Sequence, residues 1–285
     1  MSRMMRLYYN AILGAIGGLI GWQISNILGL SFTPNMYVAE IVVGALIGFS
    51  IGMLIGFSSG ISSRSIVRAL RDGLISGLLG ALGGAIGLPI AEQVFQMLGG
   101  QAWSRAFGWG IFGLLIGLAA GVTGGSQIWK PAVGGTIGGI IGGIFLEFAR
   151  VQFADPLLGK AIGLSLLGAS TGIFIALIVF LLSRAWFEIT TGKMAGTEFI
   201  LDKFLSANGP SAFIGSSPLK SDIVLPDPDI APQHAMLHGK DTFFRLKDIS
   251  QQGTYINQNK IEQADLKDRQ KITMGNTEMI YHERR

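Results

Sequence analysis

The chain has 285 residues, of which 49% are hydrophobic and only 14% charged, with 42 glycines and a mean hydropathy of +0.48. This composition is too apolar for an ordinary soluble protein and is typical of an integral membrane protein. The absence of cysteine excludes disulfides, thiolate metal sites and cysteine nucleophiles, and all three histidines follow residue 230, which argues against a histidine metal cluster.

The net charge of +4 is divided unevenly between two unlike parts of the chain. Residues 1–185 contain ten basic and five acidic residues, whereas residues 186–285 contain twelve basic and thirteen acidic residues. The basic surplus lies in the apolar part, where it indicates membrane topology rather than nucleic-acid binding. We therefore predict a membrane domain over residues 1–185, a second domain over residues 186–285, and no nucleic-acid partner.

Six apolar segments meet or approach the length of about 20 residues that a bilayer crossing requires. They are residues 7–29, 37–59, 70–98, 106–123, 131–149 and 161–183. The first segment has no convincing cleavage site after a short hydrophobic core, so we predict a retained helix rather than a signal peptide. An even number of crossings puts both termini on one side, whose joints hold seven basic residues, and the positive-inside rule predicts that this side is cytoplasmic.

Glycine recurs at every fourth position in the second segment, and shorter versions of the pattern return later. Gly52-Met-Leu-Ile-Gly56 is echoed by Gly113-Leu-Leu-Ile-Gly117 and more faintly by Gly168-Ala-Ser-Thr-Gly172. In lipid, such stripes let helix backbones approach closely. We predict three repeated helix hairpins with glycine-zipper packing, and unused stripes would permit a homo-oligomer. The packing glycines are predicted to be Gly44, Gly48, Gly52, Gly56, Gly60, Gly113, Gly117, Gly121, Gly135, Gly139 and Gly143.

The third segment and the charged residues bear on whether the helices transport a solute. Gly87-Leu88-Pro89 is predicted to kink or end the third helix, with residues 91–98 lying along the outer interface. Transporters place ionisable groups at membrane depth, yet the acids here lie near segment ends. Glu147 is the best candidate for a buried acid, and we favour the alternative that it is interfacial and paired with Arg150.

From Trp186 onward, short alternating stretches separated by turn residues replace the long apolar runs. This pattern predicts one all-β sandwich of about 100 residues. The boundary between the two domains is placed near Arg184. The predicted fold class is thus an all-α transmembrane bundle of about six helices followed by a β-sandwich.

The second domain resembles the forkhead-associated (FHA) family, whose members are sandwiches that bind phosphothreonine peptides with the loops at one end. Five motifs carry the resemblance in order: Phe213-Ile214-Gly215, Ser221-Asp222-Ile223-Val224-Leu225-Pro226-Asp227-Pro228, Gln233-His234-Ala235, Leu246-Lys247-Asp248-Ile249-Ser250 and Gly253-Thr254-Tyr255-Ile256-Asn257. The whole chain is also similar to uncharacterised bacterial proteins that join glycine-rich membrane repeats to an FHA domain, which implies a bacterial inner membrane.

The chain departs from the family at three recognition positions. Where the family has an arginine and a serine that bind phosphate and an asparagine that holds the peptide backbone, this chain has Ser216, Ala231 and Gln252. The resemblance implies structural roles for the matching Gly215, His234, Gly253 and Thr254, with Lys220 or Lys240 as substitutes for the missing charge. The predicted partner-binding residues are Gly215, Ser216, Ser217, Lys220, Ala231, Gln233, Gln252, Gly253 and Thr254.

These features predict a membrane adaptor whose FHA-like module binds an unidentified cytoplasmic or membrane protein without requiring phosphorylation. One alternative is a subunit of an oligomeric channel or transporter, in which the FHA-like module is the regulatory or assembly domain. A second alternative is a phosphothreonine-dependent receptor. No nucleophile and base pair, phosphate loop or metal motif is evident, so we predict no enzyme activity, no cofactor and no metal. The lipid bilayer is the other predicted partner.

Overall fold

The computed structural model describes residues 3–30, 35–62, 66–100, 102–122 and 127–284. The chain divides into two compact units. One unit comprises residues 6–61 and 66–181 and is helical, and the other contains residues 182–285 and is formed of β-strands. The predicted fold class, a helical bundle followed by a β-sandwich, is confirmed.

Six helices form the first unit within the described ranges. They are α1 (Arg3–Ile27), α2 (Met36–Ser62), α3 (Ile66–Met97), α4 (Ala102–Gly121), α5 (Trp129–Gln152) and α6 (Pro156–Leu181). In length and composition, five of them, α2 to α6, are apolar enough to cross a membrane. Helix α1 is less apolar than the other five, because it contains Arg3, Arg6 and Asn10 in its first turns and Gln23 and Asn26 in its last. Of the six predicted crossings, five are therefore supported by length and composition.

Helix α3 continues through Pro89 to Met97, so of the two predicted outcomes at this proline, a kink or an end, the helix end is excluded. Proline removes one backbone hydrogen bond from a helix, and membrane helices tolerate this loss where neighbouring helices support them. Such support lies on both sides of Pro89, because Gly87 packs against Phe112 and Ala91 packs against Gly108, both on α4. Packing against α4 therefore keeps the segment after the proline in the bundle.

Glycine backbones make the contacts between successive hairpins. Gly52, Gly113 and Gly168 occupy equivalent places in the three sequence repeats, and each lies against the first helix of another hairpin, at Ser76, Gly135 and Gly14 respectively. Within the hairpins, glycines of the first helix pack on larger residues of the second, as Gly17 does on Ile51. The contacts run through the helices in chain order, and α6 returns to α1, so the six helices form a closed ring.

The second helix of each hairpin supplies most of the apolar interior of this ring. Because α2, α4 and α6 alternate around the ring, a cluster that they share must lie at its centre. That cluster contains Ile47, Ile51, Ile55, Phe112, Ile116, Leu146, Leu164, Leu167 and Ile175, all buried.

The acid that sequence analysis considered for a buried role is paired. Glu147 pairs with Arg150 at 3.3 Å and with Arg105 at 3.5 Å, so the predicted pairing with Arg150 is confirmed.

Eleven strands form the part of the second unit that the structure describes. They are β1 (Ala185–Ile189), β2 (Glu198–Ile200), β3 (Ala212–Gly215), β4 (Ile223–Val224), β5 (Ala235–Gly239), β6 (Phe244–Asp248), β7 (Thr254–Ile256), β8 (Asn259–Ile261), β9 (Gln263–Asp265), β10 (Lys271–Met274) and β11 (Thr277–Glu283). One sheet has the order β2-β1-β11-β10-β7-β8 and the other β4-β3-β5-β6-β9. The alternation of side chains along each strand directs apolar residues into a single core, in which Phe187 and Phe244 contact the buried ring of Tyr281.

Candidate functional site

Strand register brings the predicted recognition loops to one end of the sandwich. Strand β5 begins beside the end of β3, where Ala235 pairs with Ile214, and β6 ends there, where Asp248 pairs with Ala235. In the other sheet, Met274 at the end of β10 pairs with Thr254 at the start of β7. We call this region the loop end, and it comprises residues 216–222, 225–234, 249–253 and 275–276.

His234 is fully buried behind these loops and connects two of them, residues 225–234 and 249–253, to strand β3. Its backbone N–H donates to the Ile214 carbonyl at 2.7 Å, and its Nδ1 accepts the Ala231 N–H at 3.2 Å. Since Nδ1 is an acceptor, the ring proton belongs on Nε2, which lies 3.2 Å from the Gly253 carbonyl and 3.3 Å from Ser250 Oγ. The imidazole thus holds the loops together and is not presented to a ligand.

Asp248 organises the loop between β6 and β7. Its carboxylate accepts the backbone N–H of Ser250 at 2.9 Å, the Ser250 hydroxyl at 2.8 Å and the backbone N–H of Thr254 at 2.9 Å. Burial opposes ionisation, yet these three hydrogen bonds and the nearby His234 ring keep the pKa of Asp248 below its ordinary value. The Gly253 N–H donates to Ser250 Oγ at 3.0 Å, which completes the turn.

A second carboxylate joins the loop between β4 and β5 to the turn between β10 and β11. Asp227 accepts the backbone N–H groups of Asp229 at 3.0 Å and Asn276 at 2.9 Å, and the Thr277 hydroxyl at 2.9 Å. Burial again opposes ionisation, but these hydrogen bonds hold the pKa of Asp227 below its ordinary value. The loop end is therefore fixed by two internal acids that sequence analysis did not single out, although both lie in the family-like motifs.

Two of the three altered recognition positions bond to residues within the domain. The Ser216 hydroxyl donates to the Ile230 carbonyl at 2.7 Å, and its backbone N–H donates to the Ala231 carbonyl at 3.0 Å. The next backbone N–H, of Ser217, donates to the Pro232 carbonyl at 3.4 Å. These donors hold the loops of β3 and β5 together, so they are already occupied where an FHA domain would bind phosphate.

The nine predicted binding residues differ in their access to the surface. The exposed ones are Lys220, Gln233 and Gln252; the half-buried ones are Ser216, Ser217 and Ala231; the buried ones are Gly215, Gly253 and Thr254. The Thr254 hydroxyl is buried without a hydrogen-bond partner, so this residue supports the loop end through its backbone bond to Asp248. A side chain at Gly215 would overlap the Pro232 carbonyl oxygen.

Exposed apolar side chains are concentrated at the loop end. Within residues 185–284, the large hydrophobic residues classed as exposed are Leu219 at 80%, Ile249 at 43% and Tyr255 at 36%. Leu219 belongs to the loop after β3, Ile249 begins the loop after β6, and Tyr255 lies in β7 beside that loop. Neither Leu219 nor Ile249 was predicted as a site residue. Each is an aliphatic residue inside an otherwise polar turn, and this contrast could have identified it.

The structure removes one lysine from the loop end and brings an unpredicted one to it. Lys240 lies in the turn between β5 and β6, where its N–H donates to the Phe243 carbonyl, at the opposite end of the sandwich from the loops. Its proposed role as a substitute for the arginine is therefore wrong. Lys260 pairs with Tyr255 across β7 and β8, and its side chain crosses Gly253 so closely that a Cβ there would lie 3.2 Å from Nζ. Only the pairing of β7 with β8 reveals that Lys260 is a neighbour of Gly253.

The helices and the sandwich define a class of protein: an integral membrane protein that carries an FHA-like module. Within the described ranges, no three His, Asp or Glu side chains are close enough to hold a metal ion. Residues 188–284, about a third of the chain, match a family model, Yop-YscD_cpl, described as the cytoplasmic domain of an inner membrane component of T3SS. Among curated proteins, no match to the chain is found.

Solved structures similar to the chain are FHA domains. The FHA domain of CT664 protein from Chlamydia trachomatis is 30% identical and covers 36% of this chain and 100% of its own, with a TM-score of 0.33. An FHA domain from Arabidopsis thaliana is 18% identical and covers 35% and 86%, with a TM-score of 0.32. The FhaA FHA domain, solved with the intracellular domain of Rv3910, is 21% identical and covers 34% and 99%, with a TM-score of 0.29. The predicted FHA resemblance of the C-terminal domain is confirmed.

Proposed function

We propose that this protein is a membrane adaptor that recruits a protein partner to the loop end of its FHA-like domain. The observation that carries the proposal is that, of the exposed large apolar residues of the described sandwich, Leu219 and Ile249 lie in the loop end and Tyr255 lies directly beside it. Isolated exposed apolar residues are common, but a group of them beside fixed loops is a feature of protein-binding surfaces. The helices anchor this surface to the bilayer.

Recruitment is proposed to be independent of phosphorylation. A bidentate arginine supplies several charge-assisted hydrogen bonds to a phosphate, each worth about 1.5–3 kcal/mol. Ser216 stands at that position and donates its hydroxyl to the Ile230 carbonyl at 2.7 Å. Losing the guanidinium would therefore remove most of the binding free energy of a phosphothreonine. This argument disfavours the alternative of a phosphothreonine receptor.

The channel or transporter alternative has less support than the adaptor. The centre of the helical ring is filled by buried apolar side chains such as Ile51, Phe112 and Leu167. Every described helix glycine contacts another segment of the same chain, so assembly through unused glycine stripes is not part of the proposal. A path for solutes would have to form between several copies of the chain.

We further propose that the protein lies in a bacterial inner membrane with both termini in the cytoplasm. The matched family is described as an inner membrane component, and the basic residues of the helix joints favour this orientation. The proposal requires α1 to cross the membrane with the other five helices. Its glycines support this, because Gly14 and Gly18 pack on α6 while Gly17 and Gly21 pack on α2.

Single cysteines introduced into this cysteine-free chain will test the orientation. Met97→Cys, at the end of α3, is expected to react with a membrane-impermeant maleimide in spheroplasts. Met4→Cys and Asn208→Cys are expected to react only after lysis. All three positions are exposed, so the reagent can reach each thiol once it is on the same side. Labelling of Met4→Cys in intact spheroplasts would show that α1 does not cross as proposed.

Charged substitutions at the loop end will test recruitment. The double variant Leu219→Asp, Ile249→Asp is expected to lower recovery of co-purified partners at least about tenfold, because burying one apolar side chain contributes about 1.5–3 kcal/mol. Partners would be quantified by mass spectrometry after purification in mild detergent. Thr242→Asp, exposed at the opposite end, is the matched control and is expected to leave recovery unchanged. Partner recovery that is equal in both variants contradicts the adaptor proposal.

A further inference from the structure

Lys260 places a positive charge beside the exposed apolar residues of the loop end. Its aliphatic chain lies over Gly253, whose φ of +93° and lack of a side chain make room for it. The carbonyl of the same glycine contacts the buried His234 ring at 3.2 Å. Across the β7 and β8 pair, Lys260 is opposite Tyr255. The stem of the Lys260 side chain is thus held against the loop between β6 and β7, which belongs to the loop end.

The charges around Lys260 favour an acidic ligand. Within the described part of the domain, neither Lys220 nor Lys260 forms an ion pair. The nearby Asp248 carboxylate is turned inward and accepts three hydrogen bonds from its own loop. Asp227, on the other side of the loop end, is likewise bonded internally. Two cations are therefore available to a partner, while Asp248 and Asp227 are engaged inside the domain. The other two acids of the loop end also accept internal hydrogen bonds, Asp222 from the Phe213 N–H at 3.0 Å and Asp229 from the Asn276 side-chain amide.

The supply of hydrogen-bond donors distinguishes a carboxylate ligand from a phosphate ligand. A phosphate dianion has three strong acceptor oxygens and requires several donors. At the loop end, the backbone N–H groups of Ser216, Ser217, Gly253 and Thr254 all donate within the domain. The remaining side-chain donors include the Lys260 and Lys220 ammonium groups and the exposed Gln252 amide. One ammonium and one amide match the single charge and two oxygens of a carboxylate.

We propose that the loop end binds an unphosphorylated acidic segment of its partner, in which an Asp or Glu carboxylate pairs with Lys260 and neighbouring aliphatic side chains pack on Leu219 and Ile249. This inference rests on the proposed adaptor function and adds the chemistry of the partner. The apolar contacts supply affinity, and the charge pair selects acidic segments and speeds association.

Labelled peptides of about twelve residues, long enough for an extended segment to cross the loops, will test the inference by fluorescence anisotropy. The probes have a leucine-rich centre containing glutamate, glutamine or phosphothreonine at one position. They are titrated with the full-length protein in detergent micelles. The glutamate peptide is expected to bind at least about tenfold more tightly than the glutamine peptide, as one screened ion pair with a hydrogen bond allows.

Matched variants assign the effect to Lys260. Lys260→Met is expected to remove the preference for glutamate, and Lys260→Arg is expected to retain it. Lys240→Met removes the same charge at the opposite end of the sandwich and is expected to change nothing. Tighter binding of the phosphothreonine peptide, an unchanged preference in Lys260→Met, or no binding of the glutamate peptide at about 1 mM would overturn the inference.

The same titrations separate this inference from the adaptor proposal. If the glutamate and glutamine peptides bind equally, and Leu219→Asp weakens both, the loop end is a binding surface without acidic selectivity. The adaptor proposal then stands and the inference fails. If Leu219→Asp, Ile249→Asp also leaves partner recovery from membranes unchanged, the adaptor proposal fails with it.

Discussion

Replacing Gly84 with alanine is expected to destabilise the helical bundle by about 2–3 kcal/mol, in the range typical of overpacked interiors. Gly84 of α3 and Gly44 of α2 face each other, and a Cβ on either would overlap the carbonyl oxygen of the other. Alanine favours an isolated helix by about 1 kcal/mol over glycine. The overlap outweighs this gain, because a backbone carbonyl cannot rotate away as a flexible side chain can, and separating the helices weakens the adjacent contact of Gly80 with Gly48.

Gly87→Ala is the matched control in the same helix. A Cβ at Gly87 would lie 3.2 Å from the Phe112 Cα and 3.3 Å from the Leu115 Cδ1, which small shifts of α4 can relieve. Its effect on the unfolding free energy is expected to stay within about 1 kcal/mol, because the gain in helix propensity offsets the crowding. The unfolding free energies of Gly84→Ala and Gly87→Ala are measured by denaturant titration in detergent, with the circular dichroism of the helices as the signal. Equal stability of Gly84→Ala and wild type would contradict the packing described for α2 and α3.

Asp248→Asn is expected to loosen the loop end strongly. The carboxylate accepts from the Ser250 N–H, the Ser250 hydroxyl and the Thr254 N–H, whereas an amide replaces one accepting oxygen with a donor. Losing one charge-assisted hydrogen bond costs about 1.5–3 kcal/mol, so amide exchange in residues 249–256 is expected to accelerate about 10- to 100-fold. Hydrogen-exchange mass spectrometry of the full-length protein measures this. Asp265→Asn, which removes an exposed partner of Arg245, is the control and is expected to have little effect.

The pH dependence of amide hydrogen exchange at the loop end has a defined sign. The pKa of Asp248 in the folded domain is below its ordinary value, and so is the pKa of Asp227. Each carboxylate therefore stabilises the folded loops fully above the unfolded pKa of about 3.9, and this stabilisation is lost as pH falls through the folded pKa. After correction for intrinsic exchange rates, protection of the loop end should fall below about pH 4 in the wild type. Asp248→Asn should show a smaller fall, and an unchanged profile would contradict the assignment.

Local pattern was sufficient to predict the elements of this protein. The length of the apolar runs predicted six helices, because a bilayer crossing requires about 20 apolar residues. The change to alternation at Trp186 predicted the strands, because successive side chains of a strand point to opposite faces. The FHA resemblance depended on short motifs in order, such as Phe213-Ile214-Gly215. At Pro89 the local pattern left a kink and an end both open, and packing of Gly87 and Ala91 on α4 opposes the end.

Contacts between residues far apart in the sequence decided how the helices pack and which lysine lies beside the loops. The sequence by itself determined that the chain has a glycine-rich helical domain followed by an FHA-like sandwich, and that Ser216, Ala231 and Gln252 replace the usual recognition residues. Only the tertiary structure decided that the glycines pack between hairpins in a closed ring, and that Lys260 rather than Lys240 lies beside the loops. The physical reason is that both results depend on which helices and strands become neighbours, and that choice is made by burial of the whole chain rather than by any local segment.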